Sequence, residues 1–408
     1  MSLLDLLSDE DCWRGFYEYK TSLCGKSSFT KELEKFIDEK KYLPVCELIG
    51  SGAAFPCPRK SVISKTGTSK KRTVYTYPYA ENTVLKLLTY LVLRKYDGLF
   101  SGCLYSFRPG RCAKDAVRKL MRTRGVKRMY SYKADIHDYF NSVPTERLTP
   151  MLDAALSDDP RLLSFLKKLL CDPYVIENGK KITEKKGIMA GTPLSSFYAN
   201  LYLNGLDRHF EEAGVVYARY SDDMILFAGS EEETRTHAEF IRGYLGSAGL
   251  TINPDKESFC TPDDGFTFLG FVCKGGKVDI APVTVAKLKA KMRRKTRALA
   301  RWSSRNGYEG EKAARAFIRI FKSKLLENSG DNDLTWSAWF FSVINTTESL
   351  KEIDAYAVDC IRYLVTGKRT KARFALRYED IKAMGYRNLV HAYYEYRADE
   401  VSDGEGGA

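Results

Sequence analysis

Apolar positions along the chain switch between a helical and a strand period, and the switches divide it into elements. Over the first fifty or so residues Leu33, Phe36 and Ile37 recur at helical spacing among Lys and Glu, which predicts amphipathic helix with a break at Pro44. Between 55 and 76 the runs shorten to β type around Pro56 and Pro58, and the polar stretch from Lys65 to Arg72 predicts a hairpin with a basic tip. Helices are predicted over 81–97 and 110–124, the second carrying Lys114, Arg118, Lys119, Arg122 and Arg124. A strand follows at 129–136, then two helices over 145–171 broken near Pro160, and a hairpin over 174–185 around Asn178-Gly179, a pair favoured in type I′ turns. Residues 194–213 read as a buried helix. Two short apolar strands, 215–219 and 224–228, flank Tyr220-Ser221-Asp222-Asp223, and a polar helix at 231–248 and a strand at 266–273 come next.

After Pro282 the pattern is helical throughout, with segments at 287–305, 310–327, 336–346 and 350–365, a basic loop at 368–371, an aromatic stretch ending in Tyr393, Tyr394 and Tyr396, and a Gly- and acid-rich tail, 399–408, whose composition predicts disorder. At 408 residues the chain exceeds a single typical domain. The expected division is a helical extension at 1–54, a mixed α+β body at 55–282, a helical region at 283–398 and the tail. The hydrophobic share of 44% and charged share of 29% suit a soluble globular protein, and no apolar run reaches the ~20 residues that span a bilayer. The N-terminus lacks the basic region and sustained apolar core of a secretory signal, so cytoplasmic residence without membrane association is expected. Ten scattered cysteines, none in CxxC or His-paired spacing, read as reduced thiols. A formal charge of +13 favours a polyanionic partner.

Against that background one constellation carries chemistry. Phosphoryl transfer onto a growing strand is served by two divalent ions, and hard ions such as Mg²⁺ select carboxylate oxygens. Asp222-Asp223 between two short strands, with Asp135 at the end of another, offers three carboxylates to one sheet edge. Taken alone, the Asp pair fits an ordinary polar hairpin turn equally well. The surrounding pattern decides. Arg219-Tyr220-Ser221-Asp222-Asp223-Met224 resembles the YxDD motif of reverse transcriptases, and Lys133-Ala134-Asp135 with Phe140 five positions after the Asp resembles their first catalytic motif. Further segments resemble the family in the correct order: Tyr105-Ser106-Phe107-Arg108-Pro109-Gly110-Arg111, then 187–203, 249–256 and 266–271. The likeness covers roughly 55–275 and is greatest to the bacterial lineage that includes group II intron maturases.

The resemblance implies an α+β right-hand polymerase: fingers and a ferredoxin-like antiparallel palm over 55–282, then an all-helical thumb and C-terminal extension. It implies that Asp135, Asp222 and Asp223 hold two Mg²⁺ ions, with Mn²⁺ a possible substitute. Phe140 would be a steric gate that rejects the ribose 2′-hydroxyl, with a core aromatic as its alternative. Lys65, Lys71 and Arg72 would face the triphosphate of a dNTP, where cations neutralise developing charge; the lysines fit a solvated turn as well. Lys256 would stand near the pyrophosphate, and Gly191 beside the incoming nucleotide. Arg108 and Arg111, together with Arg293, Arg294 and Arg297 on the basic 287–305 segment, would contact nucleic-acid phosphates; a solvated cationic face is the alternative for the latter three.

Where the family often reads Pro-Gln-Gly this chain has Met189-Ala190-Gly191, and Ser195-Ser196 replaces a usual Ser-Pro. This altered motif, the compact chain and the helical extension most resemble the defence-associated, abortive-infection-like bacterial reverse transcriptases. That likeness implies cDNA synthesis from a structured noncoding RNA in antiphage defence. Template-independent or protein-primed DNA synthesis, and a non-catalytic RNA-binding scaffold, are the alternatives. Oligomeric state is not readable.

Overall fold

The computed structural model describes residues 1–24, 27–64, 71–184, 187–327 and 336–405. Two compact units emerge, residues 1–21 with 26–264 and residues 22–25 with 265–408. The division falls at Gly265 and not near Pro282, because the strands that precede Pro282 pair among themselves and bond to a later helix of their own unit.

Three helices, α1 (Glu10–Cys24), whose last turn is grouped with the second unit, α2 (Ser28–Asp38) and α3 (Leu43–Gly50), bury Trp13, Phe16, Leu33, Phe36 and Ile37. Pro44 opens α3 where a break was expected; its missing N–H is harmless in a first helical turn. The strands β1 (Arg59–Ser64) and β2 (Lys71–Thr76) form the expected antiparallel pair, with Ser64 opposite Lys71, and α4 (Tyr79–Lys95) and α5 (Ala113–Arg122) follow. After β3 (Tyr130–Asp135) come the short α6 (Tyr139–Ser142), α7 (Thr145–Ala155) and α8 (Pro160–Cys171), the last beginning at the predicted proline break. Strands β4 (Tyr174–Glu177) and β5 (Lys180–Thr183) turn through Asn178 at φ 52° and Gly179 at φ 80°, and complete a sheet ordered β2-β1-β4-β5.

The buried 194–213 stretch divides at Leu203 into α9 (Ser195–Tyr202) and α10 (Asn204–Glu212). It leads to β6 (Val216–Tyr220), β7 (Asp223–Ala228), α11 (Glu231–Ser247) and β8 (Ser258–Cys260). These strands form the second sheet, ordered β6-β7-β3-β8 and antiparallel throughout. Helix α11 packs on β3 and β7, and α5 and α10 pack on β6. Met224, Ile225, Leu226, Phe227 and Ala228 are all buried, so β7 is covered on both faces, which is why it reads as a continuous apolar run. Each large side chain so removed from water contributes about 1.5–3 kcal/mol.

The second unit begins with β9 (Phe266–Phe268), β10 (Phe271–Lys274) and β11 (Lys277–Ile280), in the order β11-β10-β9. The single strand expected over 266–273 is a hairpin. Leu269 at φ 50° and Gly270 at φ 89° make its turn, and a leucine in the left-handed region is not a turn signal that sequence patterns reveal. Helices α12 (Pro282–Arg305), α13 (Gly310–Leu325), α14 (Trp336–Phe341), α15 (Glu348–Thr366), α16 (Tyr378–Ala383) and α17 (Leu389–Glu405) complete it. Buried Asp354 on α15 accepts hydrogen bonds from the Leu389 and Val390 amides, each at 2.9–3.1 Å, and from Tyr386 Oη at 2.9 Å, fixing the start of α17. That helix runs to Glu405, and the tail was expected to begin at Asp399. The described cysteine side chains are free thiols, and no described helix is long and apolar enough to cross a membrane.

Candidate active site

The strand register converges on one edge of the β6-β7-β3-β8 sheet. Asp135 ends β3 directly opposite Asp223, which begins β7, and the Ile136 amide donates to the Asp222 carbonyl at 3.2 Å. Three carboxylates thus share one end of two neighbouring strands. Asp135 is held from behind, since its carbonyl accepts from the Asn253 amide at 2.7 Å while the His137 amide donates to the Thr251 carbonyl at 2.9 Å.

The turn that carries Asp222 is conformationally demanding. Tyr220 pairs with Asp223, leaving Ser221 and Asp222 as a two-residue turn, and Ser221 adopts φ 61°. Buried side chains hold both of its backbone groups. The Ser221 amide donates to Ser106 Oγ at 2.8 Å, and the Ser221 carbonyl accepts from Arg219 Nη1 at 3.1 Å. Ser106 Oγ also bonds Asn200 Oδ1 at 3.2 Å, and Asn200 Nδ2 returns a bond to the Ser106 carbonyl at 2.9 Å. Arg219 is fully buried and forms a two-pronged ion pair with Asp207, Nε to Oδ1 at 2.7 Å and Nη2 to Oδ2 at 2.5 Å. Burial alone would favour the neutral guanidine, yet the charge and hydrogen bonds of Asp207 hold Arg219 above its ordinary pKa. Sequence reasoning missed Ser106, Asn200 and Asp207 as supports of the turn. Only the Arg219 position, buried within an apolar strand, hinted that a counter-charge must exist.

The carboxylates carry an unresolved charge. Burial first, then repulsion from Asp135 and Asp223, raises the Asp222 carboxyl above its usual range. Burial likewise raises Asp223, against the pull of Lys133, whose Nζ lies 3.6 Å from Asp223 Oδ1. Lys256 Nζ bonds Asp135 Oδ2 at 2.6 Å; burial works against this ammonium, but Asp135, Asp222 and Asp223 together keep its pKa raised. A crowd of carboxylates, Asp135 buried and Asp222 and Asp223 half-buried, answered by ammonium groups fits a cation in both charge and donor chemistry. Among the described residues no three acidic, His or Cys side chains are yet gathered closely enough to enclose an ion, and Asp135 is turned onto Lys256.

The other expected residues divide. Phe140 lies on α6 five positions after Asp135, half-buried and packed against the core, its ring edge-on to Phe107 with centroids 6.3 Å apart. The 187–191 segment threads between α6 and β2. The Ile188 amide donates to the Phe140 carbonyl at 2.8 Å, and the Tyr75 amide donates to the Ala190 carbonyl at 2.8 Å. Gly191 adopts φ 100°, which strains any other residue, and a Cβ there would press on the Tyr75 carbonyl oxygen at 3.0 Å. Met189 packs with Tyr75 and Val175. Lys71 and Arg72 are exposed on β2, and Lys65 lies outside the described residues. Arg108 corrects the expectation of a phosphate contact. It is buried, with Nε and Nη2 on the Asp97 carboxylate at 2.7 and 2.9 Å and Nη1 on the Ser101 carbonyl at 2.6 Å, so its donors are spent on the 97–108 loop. Arg111 donates through Nη1 to the Gly102 carbonyl at 2.8 Å and to the Leu104 carbonyl at 3.5 Å, and stays half-exposed. Arg293, Arg294 and Arg297 are exposed on α12 of the second unit.

Comparison with known proteins adds an independent line. A family profile described as Reverse transcriptase (RNA-dependent DNA polymerase) matches residues 63–273, just over half of the chain. The chain is 28% identical over 272 residues to an uncharacterized 91 kDa protein in the cob intron of Schizosaccharomyces pombe, covering 52% of this chain and 33% of that protein. It is 23% identical over 188 residues to the group II intron-encoded protein LtrA of Lactococcus lactis, covering 46% and 31%. It is 26% identical over 162 residues to the retron Ec86 reverse transcriptase of Escherichia coli, covering 39% and 47%. The matched region therefore spans a third to a half of these relatives.

Proposed function

This chain belongs to the reverse transcriptase (RNA-dependent DNA polymerase) family, and from that premise we propose that it extends DNA on an RNA template with Asp135, Asp222 and Asp223 as its metal-holding carboxylates. The observation that carries the reading is the β3–β7 register, which sets Asp135 opposite Asp223 and beside Asp222. Divalent cations bound there, Mg²⁺ or Mn²⁺, would activate the attacking hydroxyl and offset charge on the leaving pyrophosphate. Lys256 stands at the same edge, placed to give a proton to that pyrophosphate, while Lys71 and Arg72 draw in the triphosphate of a dNTP. Phe140 presents a flat apolar ring where a ribose 2′-hydroxyl would collide. The β6-β7-β3-β8 sheet is the palm, the β1–β2 hairpin the fingers, and the helices from α12 onward the thumb with its extension.

The template in this reading is a structured noncoding RNA, and the biological setting antiphage defence. Support is the family likeness with Met189-Ala190-Gly191 in place of a glutamine-bearing motif, which removes a polar side chain beside the nucleotide site. The same substitution favours a second reading, synthesis without a template or from a protein hydroxyl. Purified protein is incubated with labelled dNTPs, with and without prior RNase treatment, alongside Asp222→Asn. Incorporation that needs RNA and vanishes in the variant supports the first reading, and incorporation insensitive to RNase supports the second. Undiminished synthesis by Asp222→Asn would refute both. Loss of phage protection in cells carrying the same variant tests the defence role.

A further inference from the structure

A cleft in the second unit gathers two of the α12 arginines expected to meet nucleic-acid phosphates together with further cations that the polymerase reading does not use. It lies between α12, α15 and the segment that follows Gly367, with a volume of about 310 Å³. Arg293 and Arg297 reach it from α12, Tyr356 and Tyr363 from α15, and Lys368 and Arg369 from the following segment. Among the described residues its one lining carboxylate, Asp359, is engaged by Arg373 through Nε at 3.2 Å and Nη2 at 3.4 Å. Among the described residues, Arg293, Arg297, Lys368 and Arg369 have no acidic partner. Burial and the Cys360 thiol raise the Tyr356 phenol, and the positive charge of Arg293, Arg297 and Arg369 opposes that rise. Arg293 and Arg297 are also one turn apart on the same helix, a repulsive spacing that an anion in the cleft would relieve.

The aromatic rings narrow the ligand. Arg369 lies 5.0 Å from the Tyr363 ring centroid, and Lys289, already paired with Glu352, lies 5.4 Å from that of Tyr356. A phosphate drawn to the cleft's free guanidinium groups arrives beside rings on which its own base can stack, the combination that single-strand binders use. The volume is at the small end of the roughly 300–1,000 Å³ of small-ligand pockets, room for one nucleotide but not for a paired helix. We propose that this cleft binds an unpaired nucleotide of a single-stranded polynucleotide, its phosphate on the guanidinium groups and its base on Tyr363 or Tyr356. The site differs in kind from a duplex grip along the outside of α12, and it requires no catalysis.

Fluorescence anisotropy with labelled single-stranded RNA, single-stranded DNA of the same sequence and an RNA duplex tests it, without dNTPs, so that the outcome is separable from that of the polymerase reading. At about 50 mM salt Arg369→Glu is expected to weaken single-strand binding about tenfold or more and to reduce the log–log salt slope by about 0.7. Tyr363→Ala is expected to weaken it by about 5- to 100-fold, in line with loss of a stacked base, leaving duplex binding and the salt slope unchanged. Arg305→Glu, the same charge change on α12 outside the cleft, and Tyr363→Phe, which keeps the ring, are expected to bind like wild type. The single strand that loses more to Tyr363→Ala identifies the preferred source. Equal losses for duplex and single strands, or losses no larger than for Arg305→Glu, overturn the proposal. Should Tyr363→Ala unfold, photocrosslinking of thiouridine-substituted single strands to wild type decides: crosslinks to Tyr356, Tyr363 or their flanking peptides support the site, and their absence there overturns it.

Discussion

Breaking the Arg219–Asp207 pair should loosen the turn that presents Asp222, and the size of the effect follows from burial. Both side chains are wholly inaccessible to solvent, and their two short bonds satisfy each other. Asp207→Ala strands a buried guanidinium, and removing one member of such a pair costs about 3–5 kcal/mol. It also removes an acceptor 3.1 Å from Tyr217 Oη. Arg219→Met instead leaves a buried carboxylate and frees the Ser221 and Asn200 carbonyls that Arg219 now serves. The double variant Asp207→Leu with Arg219→Met exchanges charge for apolar volume and should lose much less than the two single changes combined. Since the chain has two units, a global melting curve is a poor measure; hydrogen exchange on peptides spanning 216–228 reads the hairpin directly. The single variants should exchange faster by about 150-fold or more, as about 3–5 kcal/mol implies. A change of less than about fivefold, or a double variant as unstable as the singles together, would refute the assignment of this pair as the anchor of the turn.

Phe140→Ala should raise the use of ribonucleotides relative to deoxynucleotides, read as the ratio of kcat/KM values; unchanged sugar selection would place the gate elsewhere. Arg72→Ala should raise the KM for dNTP at unchanged folding stability, whereas Arg108→Ala should destabilise the 97–108 loop and leave the KM alone, since its donors are spent on Asp97 and Ser101. The Asp222 and Asp223 carboxyls are raised in the fold, so the folded state binds their protons more tightly than the unfolded chain does. Their contribution to stability therefore falls as pH rises above the ordinary value of 3.8 and is unfavourable at neutral pH without metal. Peptides spanning 216–228 should accordingly exchange more slowly in Asp222→Asn than in wild type in EDTA at neutral pH, and Mg²⁺ should slow exchange in wild type more than in the variant. Faster exchange in the variant in EDTA would contradict the charge-crowding account.

Legibility from sequence followed the range of the interaction. The Asn178-Gly179 turn and the proline start of α8 are local signals, and both stand where the pattern puts them. The β6–β7 hairpin was legible for the same reason, since a polar turn interrupts two apolar runs. What binds the turn was not, because Ser106, Asn200 and Asp207 come from separate elements that only folding assembles. Arg108 shows the converse error. A basic residue beside Pro109 and Gly110 suggests an exposed loop, and nothing in the sequence reveals that Asp97 faces it across a tight turn of chain. Lys133 escaped notice because alternation along β3 assigns it only to a face, while its approach to Asp223 depends on the pairing with β7. The Leu269-Gly270 turn was hidden because leucine seldom adopts a positive φ.

The central claim, that Asp135, Asp222 and Asp223 together hold the catalytic cations, is most directly tested by replacing Mg²⁺ with Fe²⁺ and mapping where locally generated hydroxyl radicals cut the backbone. The account predicts cleavage next to Asp135 and within the turn at Ser221 and Asp222, competed away by Mg²⁺ and lost in Asp222→Asn. Cleavage confined to other parts of the chain, or undiminished in that variant, would contradict it.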